Sequence, residues 1–184
     1  MFRRHPAVAS ATVLVLLLLV LTGCTRARAA PTTALPDGAG RGMAATVVKA
    51  VDGDTVDVDI AGHGRERLRL LGIDTPETVD PNEPVGCYGP EASARTHGLL
   101  PAGTPVLLQR DEEARDRYGR LLVYLWRRAD GTFVNRLLLD EGLARTLSIA
   151  PNTAHRADFS AVEAAARGAG RGLWSACPAD SVGP

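Results

Sequence analysis

Three kinds of hydrophobic pattern follow one another along the chain, and each predicts a different element. Near the start an unbroken apolar run spans residues 13–21. It is too short and too abruptly ended for a stable membrane span, and with Arg3, Arg4 and His5 before it the run reads as a secretory leader. Residues 24–42 are rich in Ala, Pro, Thr and Gly without apolar period, which predicts a flexible tether. From Met43 onward alternation takes over. Residues 44–49 read as a first strand. Residues 54–60 read as a second, placing Asp54, Val56, Val58 and Ile60 on one face and Asp57 and Asp59 on the other. Further strands are expected over 68–73, 104–110 and 121–126.

The remaining segments carry helical signals. Pro90 suits a first helical turn, so 89–100 is expected to be a helix stopped by Pro101, and 133–141 a helix closed by Gly142. A third is expected over 153–167, with Phe159, Val162 and Ala166 on one stripe and Gly168 past its end. Five strands and three helices without an internal repeat fit one α+β, mainly β domain over residues 43–177, a barrel with helices, followed by a tail at 178–184. Trp126 and Trp174 are expected to pack in the core or at its edge. His63, His97 and His155 show no mutual spacing that suggests ligation or catalysis.

One strand face carries a chemical anomaly. Asp54 shares the apolar face of its strand, and a carboxylate buried without a partner is costly unless protonated, ion-paired or bound to a metal. The 68–73 strand ends at Asp74, where Thr75-Pro76 stops the ladder and Glu77 follows. If the two strand ends meet, Asp54, Asp74, a backbone carbonyl and Glu77 form an all-oxygen cluster suited to a hard cation such as Ca²⁺. Arg69, five positions before Asp74 in the same strand, and Arg120, at the start of the 121–126 strand, could grip phosphate oxygens bidentately. Glu77 could orient or deprotonate an attacking water. Taken singly these features have plain structural readings: Asp52-Gly53 is a turn signal, Thr75-Pro76-Glu77 resembles a helix start, and Arg120 could be a surface cation. Their joint occurrence in this order is far more specific.

The blocks VDGDTV, RLRLLGIDTPET, CYGPEAS, DRYGRLLVYLW, VNRLLLDEGLAR and GLWS resemble the staphylococcal nuclease family, in family order and over about residues 44–177. The resemblance implies a five-stranded OB-type barrel with three helices. It also implies Ca²⁺-dependent cleavage of DNA and RNA, single strands being favoured, at the 5′ side of the phosphodiester to leave 3′-phosphates. On that likeness Asp54, Asp74 and the Thr75 carbonyl become calcium ligands, Glu77 the general base, and Arg69 and Arg120 the phosphate clamps. Tyr118 matches a tyrosine beside the terminal phosphate, and Arg117 joins it as a substrate contact. A monomer is expected.

Two departures from the family stand out. After Arg145 the family's namesake places tyrosines against the nucleotide, whereas residues 146–151 here read TLSIAP and are one position shorter. Stacking on aromatics contributes roughly 1 to 3 kcal/mol per base, so nucleotide affinity is expected to be weaker or supported elsewhere. The formal net charge is also zero, from 21 cationic and 21 acidic side chains, with Lys49 the one lysine; a leader carrying Arg3 and Arg4 would take two of those cations away. A uniformly basic nucleic-acid footprint is absent. Binding would rest on local clusters such as Arg115, Arg117 and Arg120, although 111–120 also reads as a solvated mixed-charge loop.

The leader ends Leu21-Thr22-Gly23-Cys24, which resembles a bacterial lipobox. Residues 1–23 would then be a lipoprotein-type signal peptide, with Cys24 lipidated and the protein held on the outer face of the cell membrane. The alternative is ordinary cleavage near Ala27-Arg28-Ala29, giving a soluble secreted protein. With Cys24 assigned to lipid, Cys87 and Cys177 remain as an even pair that an oxidising exterior permits to join, the alternative being two unrelated thiols. Two functional classes stand: a calcium-dependent nuclease, and a non-catalytic binding module that reuses the barrel. The completeness of the carboxylate and arginine set favours the enzyme.

Overall fold

The computed structural model describes residues 42–79 and 84–178. The expected leader, Cys24, nearly all of the tether and the tail beyond 178 lie outside the described residues. The element order is β1 (Met43–Ala50), β2 (Thr55–Ile60), β3 (Gly64–Leu70), β4 (Gly72–Asp74), α1 (Gly89–Leu99), β5 (Pro105–Gln109), β6 (Leu121–Arg127), α2 (Val134–Asp140), β7 (Arg145–Leu147), α3 (Arg156–Gly168) and α4 (Leu173–Ala176). Five strands close into a barrel in the order β1-β2-β3-β6-β5, as expected of an OB-type fold. All pairs are antiparallel except β3 with β6. Closure leaves none of the five with an open edge.

Alternation drives the barrel. Ala45, Val47, Val56, Val58, Leu68, Leu70, Val106 and Leu108 are buried, while their neighbours along each strand are more exposed. In β6 that alternation vanishes: every residue from Leu121 to Trp126 is buried. The inner face of β6 fills the barrel and its outer face lies under helices and aromatic rings, with Trp126 stacked on Phe133 at 4.2 Å between centroids. Asp57 faces outward as expected yet is only 7% exposed. Arg67 holds it bidentately at 2.7 and 3.1 Å, and the ion pairs cover it.

The 68–73 strand expected from the sequence is two strands. Leu70 and Leu71 are both buried, which a single pleated strand with one core face cannot satisfy, and the chain turns between them and Ile73. Gly72 makes the turn at φ 75°, and a Cβ there would lie 2.6 Å from the Phe159 ring. β4 then leaves the barrel and pairs with β7, matching Asp74 to Arg145. Arg69 and Asp74 therefore belong to different strands.

α1 and α2 match the expected limits to within one residue at each end, and α3 differs most, starting at Arg156 rather than 153 and containing Gly168. Its stripe of Phe159, Val162 and Ala166 is buried as expected. α4 was not foreseen; Leu173 is buried, and its amide donates to the Gly142 carbonyl at 2.9 Å. Cys87 and Cys177 are joined with their Cα atoms 5.9 Å apart. Trp126 is in the core, and Trp174 is half-buried with the Arg167 guanidinium 4.2 Å from its ring centroid. His155 sits within the aromatic cluster, 4.4 Å from Tyr124 between ring centroids, where burial holds its pKa below the usual histidine value. Among the described residues no helix is long and apolar enough to cross a membrane.

Candidate active site

Asp54 is placed by a turn that the sequence builds from three residues. Asp52 caps it, its Oδ1 accepting the amides of Asp54 at 2.9 Å and Thr55 at 2.7 Å. Gly53 is required by packing, because a Cβ would lie 2.6 Å from the Thr75 hydroxyl oxygen. Thr96 of α1 fixes the turn from behind by donating to the Gly53 carbonyl at 2.7 Å. The Asp52-Gly53 signal is thus a true turn and also the support that points Asp54 at Thr75.

Asp54 is 6% exposed, and its carboxylate is fully engaged. Its Oδ2 accepts the Thr75 amide at 2.9 Å and the Thr75 hydroxyl at 3.1 Å, and faces Arg69 Nη1 at 2.9 Å. Burial nevertheless dominates and raises its pKa to about 6, with Asp52 and Asp74 adding to the rise while Arg69 and the Thr75 amide oppose it. Arg69 extends from the end of β3 between the two carboxylates: Nη2 meets Asp74 Oδ1 at 2.9 Å, and Nη1 also donates to the Ile73 carbonyl at 2.9 Å. The other Asp74 oxygen is held by Arg145 at 3.2 Å.

Arg120 arrives from a loop organised by Asp116. One Asp116 oxygen accepts the amides of Tyr118 and Arg120, at 2.9 and 3.0 Å, and the other accepts Arg120 Nε at 2.6 Å. Burial pushes the Asp116 pKa up, but the hydrogen bonds from Arg120 outweigh it and hold the carboxyl below its ordinary range. Tyr118 is 68% exposed and lies between two guanidiniums, Arg117 at 4.7 Å and Arg120 at 5.4 Å from its ring centroid. Arg115 is held bidentately by Glu66 at 2.7 and 2.9 Å and lines neither of the two cavities described below.

Asp54, Arg69, Asp74, Thr75, Glu77 and Arg120 line one small polar cavity of about 210 Å³. A larger cavity of about 500 Å³ shares Arg69 and Arg120 and adds Tyr118, Arg117, Leu147 and Ile149. Glu77 borders the small cavity with its Oε1 turned to its own backbone, accepting the amides of Thr78 at 2.7 Å and Val79 at 2.6 Å. Among the described residues no group of three or more His, Cys, Asp or Glu is gathered as a metal centre. What stands together is the Asp54 and Asp74 carboxylate pair, with the Arg69 guanidinium between. Two carboxylates and two arginines thus line one polar cavity, the donor types that hard cations and phosphate oxygens prefer.

The model of the staphylococcal nuclease homologue family matches residues 67–176, more than half of the chain. The chain belongs to the staphylococcal nuclease family. It is 40% identical over 129 residues to the thermonuclease of Staphylococcus hyicus, covering 70% of this chain and 74% of that protein. It is 46% identical over 116 residues to the thermonuclease of Staphylococcus intermedius, covering 63% and 67% respectively. With the endonuclease YncB of Bacillus subtilis it shares 40% identity over 131 residues, 71% of this chain and 61% of that one. The family match takes in Arg69, Asp74, Thr75, Glu77, Arg117, Tyr118 and Arg120; Asp54 lies before it.

Two residues that organise the small cavity carry little signal in the sequence. Arg145 is one, since only the β4–β7 pairing brings it to Asp74. Asp116 is another, although an Asp four residues before Arg120 is a turn signal that could have found it. Leu147 and Ile149, 41% and 64% exposed, lie within the 146–151 segment already singled out and present aliphatic surface beside the larger cavity.

Proposed function

We propose that the protein is an exported, Ca²⁺-dependent nuclease that hydrolyses phosphodiester bonds of DNA and RNA to 3′-phosphate products. The observation that carries the reading is the convergence of Arg69, Arg120, Glu77 and the two carboxylates on one polar cavity. The family membership and the thermonuclease and endonuclease relatives support it.

The donor set fits a calcium ion. Asp54, Asp74 and the Thr75 carbonyl are hard oxygens, and a buried carboxylate whose pKa is raised to about 6 would gain most from an adjacent cation. When bound, the ion would neutralise phosphate charge and polarise the phosphorus. Arg69 and Arg120 bind the non-bridging oxygens and stabilise the charge that builds on them, exchanging their internal carboxylate partners for phosphate. Glu77 takes a proton from water as its oxygen bonds to phosphorus; the bond from phosphorus to the 5′ oxygen breaks, and that oxygen leaves as a hydroxyl after gaining a proton. Tyr118 and Arg117 hold the flanking nucleotide along the larger cavity.

Export rests on the leader, and we read Cys24 as the lipid-bearing residue that holds a monomeric domain outside the cell membrane. The test of the function is a digestion of single-stranded DNA and of RNA with end-group analysis. Cleavage in calcium that chelator abolishes, with 3′-phosphate and 5′-hydroxyl ends, is the expected result. No cleavage with calcium present, or 5′-phosphate ends, would overturn it.

A further inference from the structure

Glu77 lies in irregular chain that follows β4, so no strand or helix of its own fixes it. Its support comes from residues 86–89. The Glu77 carbonyl accepts the Gly86 amide at 2.8 Å, and the Gly86 carbonyl accepts that of Gly89 at 2.9 Å. The two segments are pressed together. A Cβ on Gly86 would lie 2.7 Å from the Pro76 Cβ and 3.1 Å from the Glu77 nitrogen, and one on Gly89 would lie 2.7 Å from Thr78 Cγ2. Wherever residues 86–89 sit, Pro76 to Thr78 must follow.

Cys87 stands in the middle of that supporting segment and is bonded to Cys177, 90 positions away. Cys177 follows α4, and its amide donates to the Leu173 carbonyl at 3.1 Å. α4 is fixed to the end of α2 by the bond from the Leu173 amide to Gly142 at 2.9 Å and by Arg171 on Asp140 at 2.6 Å. Arg95 of α1 is tied to the same corner through Glu141 at 2.6 and 2.7 Å. The disulfide thus joins a well-anchored corner of the helical layer to a segment that packs against the backbone of Glu77.

We propose that the Cys87–Cys177 bridge is a positioning device for Glu77, pinning residues 86–89 so that the Glu77 carboxylate stays within reach of the attacking water. The proposal rests on the reading of Glu77 as the general base. A base must lie within hydrogen-bond distance of the proton it removes, and displacement by about 1 Å can cost on the order of 100-fold in rate. Loops held by few contacts open locally at low cost, and a covalent tether removes that freedom.

The experiment compares the full chain with a Cys87→Ser/Cys177→Ser double variant, each also carrying Glu77→Gln, on single-stranded DNA well below the unfolding temperature. In the Glu77 background, loss of the bridge should lower kcat about 10-fold while KM and calcium affinity change less than about twofold. In the Glu77→Gln background it should change little, because both alterations act through one group. Hydrogen exchange should quicken at the Gly86, Thr78 and Val79 amides. Phosphine reduction of the folded wild type should reproduce these effects and reoxidation reverse them, which serves where the double variant fails to fold. A slow Glu77→Gln enzyme together with undiminished kcat after bridge loss, or equal losses in both backgrounds, overturns the positioning role alone. Wild-type turnover in Glu77→Gln overturns the base reading and the proposal with it.

Discussion

Burial sets the behaviour of Asp54. Because its folded pKa is raised from 3.8 to about 6, the folded metal-free domain holds that proton more tightly than the unfolded chain does. The stability it contributes is present below about pH 4 and lost as pH rises through about 6, a change on the order of 3 kcal/mol for a shift of about two units. Metal-free melts should therefore show Asp54→Asn gaining on the wild type between pH 4 and 6, and a gap independent of pH would refute the assignment. Calcium should reverse the penalty, its affinity falling below about pH 6 as protons compete. At the other cavity, Ile149 offers an aliphatic wall, 64% exposed, where a ring could stack on a base. Ile149→Tyr should tighten nucleotide binding by about 1 kcal/mol, seen as a lower Kd for a nucleotide inhibitor. The residues that line the small cavity could be picked out in the sequence because the proposed phosphate chemistry demands those types. Their resting partners could not: that Arg69 bridges Asp54 and Asp74, and that Arg120 rests on Asp116, depends on side-chain positions that no spacing encodes.

Elements were legible where periodicity was strong. Alternation located β2, short apolar runs located β5 and β6, and the 3.6-residue stripe located α3. The corner between β3 and β4 was not legible, because 68–73 is uniformly apolar apart from Arg69 and Gly72, and such a run does not reveal on which side of the barrel each residue falls. Asn135 holds that corner and gave no sequence signal. Fully buried in α2, it accepts the Leu125 amide at 3.0 Å and donates to the Leu71 carbonyl at 2.9 Å, tying β6 to the turn that presents Asp74. Asn135→Ala would orphan both backbone groups, costing about 3 kcal/mol and lowering Tm by about 10 °C. Calorimetry showing an unchanged Tm would remove Asn135 from this role.

For the molecule as a whole, zero formal charge and a covalent bridge suit different parts of one design. The barrel has no open edge, and the disulfide over 90 positions, outside its strands, restrains the unfolded chain by roughly 4.6 kcal/mol in the simplest chain model. On the proposed function, substrate capture would fall to Arg69, Arg117 and Arg120 beside the two cavities. A lipid on Cys24 would hold the enzyme at the membrane, though one acyl signal anchors only modestly. Labelled palmitate should enter the wild type and not Cys24→Ala; equal labelling of both, or none in the wild type, would overturn Cys24 as the lipid-bearing residue.

The central claim is that the small polar cavity performs the chemistry rather than merely binding a strand. It is tested most directly by turnover on single-stranded DNA at saturating calcium for Arg120→Ala and Glu77→Gln, with folding verified by circular dichroism. Each should retain the barrel and lose about 10² to 10³ in kcat, because each removes a preorganised group aimed at the transition state. Near wild-type turnover in both would contradict the account.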